Sequence, residues 1–210
     1  MMSEHAAQIE LLAKQVDKLT SSDLSSFRAA GQNNALRMQV VELMRKLARQ
    51  LETPLELSRR LAWQEPAHLI SIKIATCLGI FENLRVQTAA EGSARLETMA
   101  VELSQSEELL GRILRHLAAW DTVREVGANS FAATSTSNAF LDAGVASGPD
   151  FWINLSSVSM ENLPGYLQEH SYSDLGKVGK GNFEQTNGKK LHLFEWLKGD
   201  LWLSEHTQIT

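Results

Sequence analysis

Between Leu96 and Phe140 the apolar pattern changes period in a fixed order, and that order limits what the chain can fold into. In LETMAVEL, residues Leu96, Met99, Ala100 and Leu103 recur at i, i+3, i+4, i+7 and paint one face of a short helix. Ser104 then stands three residues before Glu107, the spacing at which a serine oxygen caps an early helix N–H while the glutamate reaches back. A second helix is therefore expected from Ser104 to about Trp120. Its apolar residues Leu110, Ile113, Leu114 and Leu117 share a face. Glu107 and Glu108 suit its positive end, and Arg115 and His116 lie towards the other. Val123, Val126 and Phe131 follow around Gly127-Ala128-Asn129, a turn between two short β-forming segments. Helix, turn, helix and hairpin in succession match a winged helix.

On either side the pattern is helical. From Glu4 to Leu19, residues Ile9, Leu12, Val16 and Leu19 form one stripe, which polar Thr20-Ser21-Ser22-Asp23 breaks. Leu36, Val40, Leu43, Met44, Leu47 and Leu51 form a longer stripe, closed by Thr53-Pro54, which itself can cap and begin another short helix. The segment Ala67 to Leu84 is apolar nearly all round. It is expected to be buried on most sides, at the centre of the fold or of a dimer. The fold class that follows is mainly α with one small β-hairpin.

Composition narrows the function classes. The 210 residues carry a net charge of −5 with a pI near 5.7, and the second helix of the module opens on glutamates. Phosphate contacts dominate nucleic-acid affinity, so no nucleic-acid partner is expected. Cys77 has no cysteine to pair with and sits among Ile74, Ala75, Leu78 and Ile80, so a buried thiol is expected. No apolar run approaches the roughly 20 residues that span a bilayer, and MMSEHAAQIELL lacks a basic segment followed by an apolar one. The expectation is a cytoplasmic protein with no membrane partner.

Searches for chemistry return little. His5, His68, His116, His170, His192 and His206 show no paired metal spacing and read as surface or satisfied helical residues. The cluster Gly176-Lys177-Val178-Gly179-Lys180-Gly181 follows polar Tyr172-Ser173-Asp174 rather than a strand, and reads as a flexible loop. Gly144-Val145-Ala146-Ser147-Gly148 misses the nucleophile-elbow pattern by one position. Glu161, Glu169 or Asp174 could serve as acid or base only inside a pocket. No catalytic residue and no metal ligand is assigned.

LETMAVELSQSEELLGRILRHLAAWDTVREVGANSFAATSTSNAFL resembles the N-terminal domain of fungal O-methyltransferases of secondary metabolism. WQEPAHLISIKIATCLGIFENL before it and GNFEQTNGKKLHLFEWLKG after it extend the resemblance over most of Leu36 to Gly199. The module reads AAWDTV where family members carry a small, glycine-containing connection, and LWLSEHTQIT does not look like the family's continuing helix. The resemblance implies an N-terminal extension over 1–53 and a winged-helix dimerisation domain over 54–145. A helical linker and substrate-wall region over 146–199 and a divergent tail over 200–210 complete the expected plan. It implies a homodimer or hetero-oligomer, and an aromatic polyketide as small-molecule substrate. Phe151, Trp152, Met160 and Phe183 are the expected wall residues, in a region that also holds Tyr166, Phe194 and Trp196. Flat apolar side chains suit such a ligand, although aromatics at these intervals also pack cores.

In the family, S-adenosylmethionine binds a later, Rossmann-like catalytic domain through a glycine-rich strand-turn-helix, and no such βαβ unit precedes Thr210. The expectation is that this chain binds no cofactor, although its full-length relatives bind S-adenosylmethionine. Three functions then compete. The first is a truncated O-methyltransferase unable to methylate alone. The second is a non-catalytic dimerising or regulatory partner in a biosynthetic pathway. The third is a donor-independent cyclase or dehydratase using the retained pocket.

Overall fold

The computed structural model describes residues 2–20, 34–172 and 181–187. The chain divides into two compact units, Met1–Arg59 and Arg60–Thr210. The first contains α1 (Met2–Thr20), α2 (Asn34–Leu51) and α3 (Pro54–Arg59). The stripe predicted on α2 is present, but none of its residues is buried. Thr53 caps α3 as its sequence predicts. The Thr53 N–H and hydroxyl both donate to Glu56 Oε2, at 2.8 and 2.7 Å, and the Glu56 N–H points back at Thr53 Oγ1. These bonds hold the Glu56 carboxyl below its ordinary value.

The second unit begins with a π-helical turn, Arg60–Gln64, leading into α4 (Glu65–Cys77) and α5 (Ile80–Glu91). One continuous apolar segment was expected here, and two helices are found. Gly79 takes φ 71°, a left-handed conformation that glycine enters without Cβ strain, and the helix breaks there. The break leaves Ile72, Ala75, Ile80, Phe81 and Leu84 in the core while Ile70 stays 42% exposed, so the segment is not buried on most sides. Cys77 is also exposed, contrary to expectation, because it lies on the face of α4 away from Ile72 and Ala75.

The core module follows as β1 (Ala94–Arg95), α6 (Leu96–Glu102), α7 (Glu107–Ala118), β2 (Arg124–Gly127) and β3 (Ser130–Ala132). Leu96, Met99 and Ala100 of α6, and Leu110, Ile113, Leu114 and Leu117 of α7, are buried as their spacing predicts. The cap of α7 differs from the expected one. Ser106, not Ser104, accepts from the Leu109 N–H. Ser104 instead closes α6 with φ 53°, its N–H donating to the Val101 carbonyl while that of Gln105 donates to Ala100. That pair of bonds is a Schellman motif, which satisfies carbonyls the helix end would leave open.

The strands form one antiparallel sheet in the order β1-β3-β2, with Ala94 opposite Phe131 and Glu125 opposite the same residue. An irregularity between Glu125 and Gly127 turns Val126 outward, while Val123 and Phe131 are buried. The capping box of Thr134 and Ser137 starts α8 (Ser135–Ala139). Asp142 caps α9 (Ala143–Phe151), which runs through the π-helical turn Trp152–Ser156 into α10 (Ser157–Glu169); α11 (Asn182–Asn187) packs on α10. The described chain is mostly helical with this one small sheet. Among the described residues, no helix is long and apolar enough to cross a membrane.

Candidate functional site

The expected wall residues fall on the α9–α11 segment. Phe151 closes α9 half-buried, Trp152 opens the π-helical turn at 45% exposure, and Met160 on α10 is 60% exposed. Phe183 on α11 is half-buried. Tyr166 is different: it is buried, and its ring packs on His170, so it is a core residue. Phe194 and Trp196 lie outside the described residues, as do Asp174 and Gly176 to Lys180.

What holds α11 in place is polar. Asn162 Nδ2 on α10 donates to Asn182 Oδ1 and Thr186 Oγ1, both at 3.0 Å. Asn182 Nδ2 donates to the Ser159 carbonyl, and Gln185 Nε2 to Glu169 Oε2. This clasp sets the position of Phe183 on α11. No sequence pattern marked it, since Asn162 and Asn182 are brought together only by the fold.

Two open clefts of about 560 and 380 Å³ flank α7 instead. The larger is lined by Leu96, Glu107, Glu108, Arg112, Arg115 and Asn129, and Arg115 donates to Asn129 Oδ1 at 2.8 Å, tying α7 to the hairpin turn. Neither is lined by Phe151, Trp152, Met160 or Phe183. Arg112 and Arg115 share the larger cleft with Glu107 and Glu108, a mixed surface rather than a basic groove.

A further polar cluster joins α4 to α7. The His68 ring stacks on Trp120 at 4.6 Å, its Nε2 lies 3.2 Å from Thr122 Oγ1, and the His116 ring centre is 5.8 Å away. His68 Nδ1 and His116 Nε2 are both buried with no hydrogen-bond partner. Burial, and secondly His116, push the His68 pKa below the ordinary imidazole value. One nitrogen of each of these two partly buried rings is thus unsatisfied, and their spacing of 48 positions carries no motif; His192 and His206 lie outside the described residues. His170 fits the expectation of a satisfied residue, with Nδ1 2.8 Å from the Tyr166 carbonyl oxygen. Ser147 Oγ donates to the Gly144 carbonyl, a local helical bond. Among the described residues, no group of three or more His, Cys, Asp or Glu could hold a metal ion.

Among the described residues the sheet is antiparallel, with no βαβ unit, and the glycines of left-handed φ, Gly79 and Gly92, lie at helix ends rather than after a strand.

No protein-family profile matches the chain. Individual proteins do. The O-methyltransferase ucdC of Aspergillus ustus is 31% identical over 167 residues, 80% of this chain and 43% of the relative. The O-methyltransferase dpfgI of Gibberella zeae is 26% identical over 190 residues, 90% of this chain and 46% of the relative. Demethylsterigmatocystin 6-O-methyltransferase of Aspergillus flavus is 27% identical over 132 residues, 63% of this chain and 33% of the relative. The chain therefore spans a third to about half of the length of these curated relatives.

Among solved structures, LepI in complex with SAH and a substrate analogue superposes with a TM-score of 0.74 at 21% identity, covering 98% of this chain and 49% of LepI. OxaC in complex with SAH and oxaline gives 0.63 at 16% identity, over 92% of this chain and 48% of OxaC. The fold is thus that of part of an O-methyltransferase-like protein. More particularly, the chain belongs to the S-adenosylmethionine-dependent O-methyltransferase-like family of fungal secondary metabolism.

Proposed function

We propose that this chain supplies the helical, winged-helix half of an O-methyltransferase-type protein in fungal secondary metabolism. On this reading it dimerises through its N-terminal helices and walls one side of a pocket for a flat aromatic polyketide, while the methyl donor is held elsewhere. The observation that carries it is the superposition over 98% of this chain and only 49% of LepI, combined with the absence of a βαβ unit among the described residues. The arrangement α5-β1-α6-α7-β2-β3 is a winged helix used as scaffold, and its acid-bearing α7 argues against a nucleic-acid partner. Exposed Trp152 and Met160, with Phe183 set by the clasp, supply flat and adaptable apolar surface for the ligand.

Alone, the 210-residue chain then does not methylate. Calorimetry with S-adenosylmethionine should register no binding, and an affinity in the micromolar range would overturn the reading. A second reading is a donor-independent cyclase or dehydratase. It is favoured by one observation: a structure described as a pericyclic reaction enzyme shares this fold at a TM-score of 0.74. Under it, Trp152→Ala or Phe183→Ala abolishes product in a reconstituted pathway. Under a third, a purely dimerising or regulatory partner, both variants leave product unchanged while pull-downs recover a companion enzyme.

A further inference from the structure

The contact between α4 and α7 carries two imidazoles. His68 lies on α4 and His116 on α7, with a ring separation of 5.8 Å. A direct N–H···N bond would bring ring centres to within about 5 Å, and none is made: each ring leaves a buried nitrogen unpartnered. The other His68 nitrogen faces Thr122 Oγ1, and Trp120 covers one face of the ring. The His68 ring can stay neutral here, since neutral imidazole needs no counter-charge. An imidazolium needs one, or water, and the buried Nδ1 of His68 meets neither a hydrogen-bond partner nor solvent.

The surrounding charges are engaged or distant. On the approach to α4, Arg60 pairs with Glu65, and Lys73 pairs with Asp150 from α9. Glu82 of α5 pairs with Arg85. On α7, Glu107 and Glu108 stand in the first turn, at the opposite end from His116, and Arg115 is bound to Asn129. Arg112 on α7, Asp121 between Trp120 and Thr122, Glu97 and Glu102 on α6, and Arg124 and Glu125 on β2 are all exposed. Burial first, and His116 second, push the His68 value down.

We propose that His68, packed against His116, forms a proton-operated latch between α4 and α7: the uncharged His68 ring keeps the helices packed, and a proton arriving on it loosens the joint. A proton on His68 Nδ1 places an imidazolium in a site that is dry on that side and faces a second titratable ring. It can be accommodated by the helices parting to admit water. The native state thus binds fewer protons than the unfolded chain below neutrality. The contribution of His68 is complete above the ordinary imidazole value of 6.5 and is lost as pH falls through its lower native value.

The test is the titration of the His68 and His116 ring C–H signals by NMR in the full 210-residue chain from pH 8 to 5, with urea midpoints at each pH. His68→Gln and His116→Gln assign the signals. We expect His68 to titrate below 6.5, and closer to 6.5 in His116→Gln. The unfolding equilibrium constant should rise by up to tenfold per pH unit per extra proton bound, with a flatter slope in both variants. A native His68 value at or above 6.5, or an unchanged slope in both variants, overturns the latch. So does silencing of both titrations by one equivalent of zinc chloride, which would mark a metal site instead. If neither variant folds, the pH dependence of the six wild-type histidine signals decides: none below 6.5 overturns the proposal.

Discussion

Three non-glycine residues close helices in the left-handed region: Ser104 after α6, Asp121 after α7 and Ser171 after α10. At Asp121 the N–H donates to the Ala118 carbonyl and that of Thr122 to Leu117, the same Schellman pair seen at Ser104. The stretch AAWDTV thus places an aspartate at a position where glycine has its conformational use. Asp121→Gly should therefore raise stability by about 0.5–1 kcal/mol, after allowing for the greater freedom of the unfolded chain. A lower urea midpoint in that variant would contradict the cap assignment. Thr134 illustrates the opposite case. It accepts from the N–H groups of Thr136 and Ser137 and donates to the Thr122 carbonyl at 2.6 Å, so Thr134→Ala should cost about 1–2 kcal/mol by chemical unfolding. Capping at Thr53 was legible because its partner lies three residues away. Ser104 was misread because two serines compete for one helix start, and only the backbone path decides which is the cap.

Among the elements, α7 was the most legible, since its apolar stripe is regular and one face is fully buried. Leu114→Ala should cost about 2–5 kcal/mol, read as a lower thermal midpoint, because the side chain is wholly enclosed. Gly111 on the same helix would meet Leu96 Cδ2 at 2.9 Å if it carried a Cβ, so Gly111→Ala should fail to deliver the usual helical gain of about 1 kcal/mol. The strand β1 went unread because two residues are too few to show a period; it exists through its pairing with β3. The α10–α11 clasp was equally hidden, being made by polar side chains about 20 positions apart. Asn162→Ala should leave α11 unclasped, and hydrogen exchange at residues 183–187 should quicken while that of α7 does not. Uniform protection in the variant would remove the clasp from the account of the wall.

For the whole molecule, the first unit presents Leu36, Val40, Leu43, Met44 and Leu51 of α2 to solvent, at exposures from 40 to 56%. An amphipathic helix with no buried residue is stabilised by what covers its face. Leu43→Asp should weaken self-association measured by sedimentation at micromolar concentration, and an unchanged monomeric distribution in both proteins would count against the dimer. By itself, the sequence determined the helical class, the order from α6 through the hairpin and the family. Those depend on periods of 3.6 and 2, and on turn residues acting over a few positions. Only the tertiary structure decided that the helix breaks at Gly79, that Cys77 faces outward, and that His68 meets His116 and Asn162 meets Asn182. Such contacts join residues far apart in the chain, where no local pattern records which side chains the packed core will bring together.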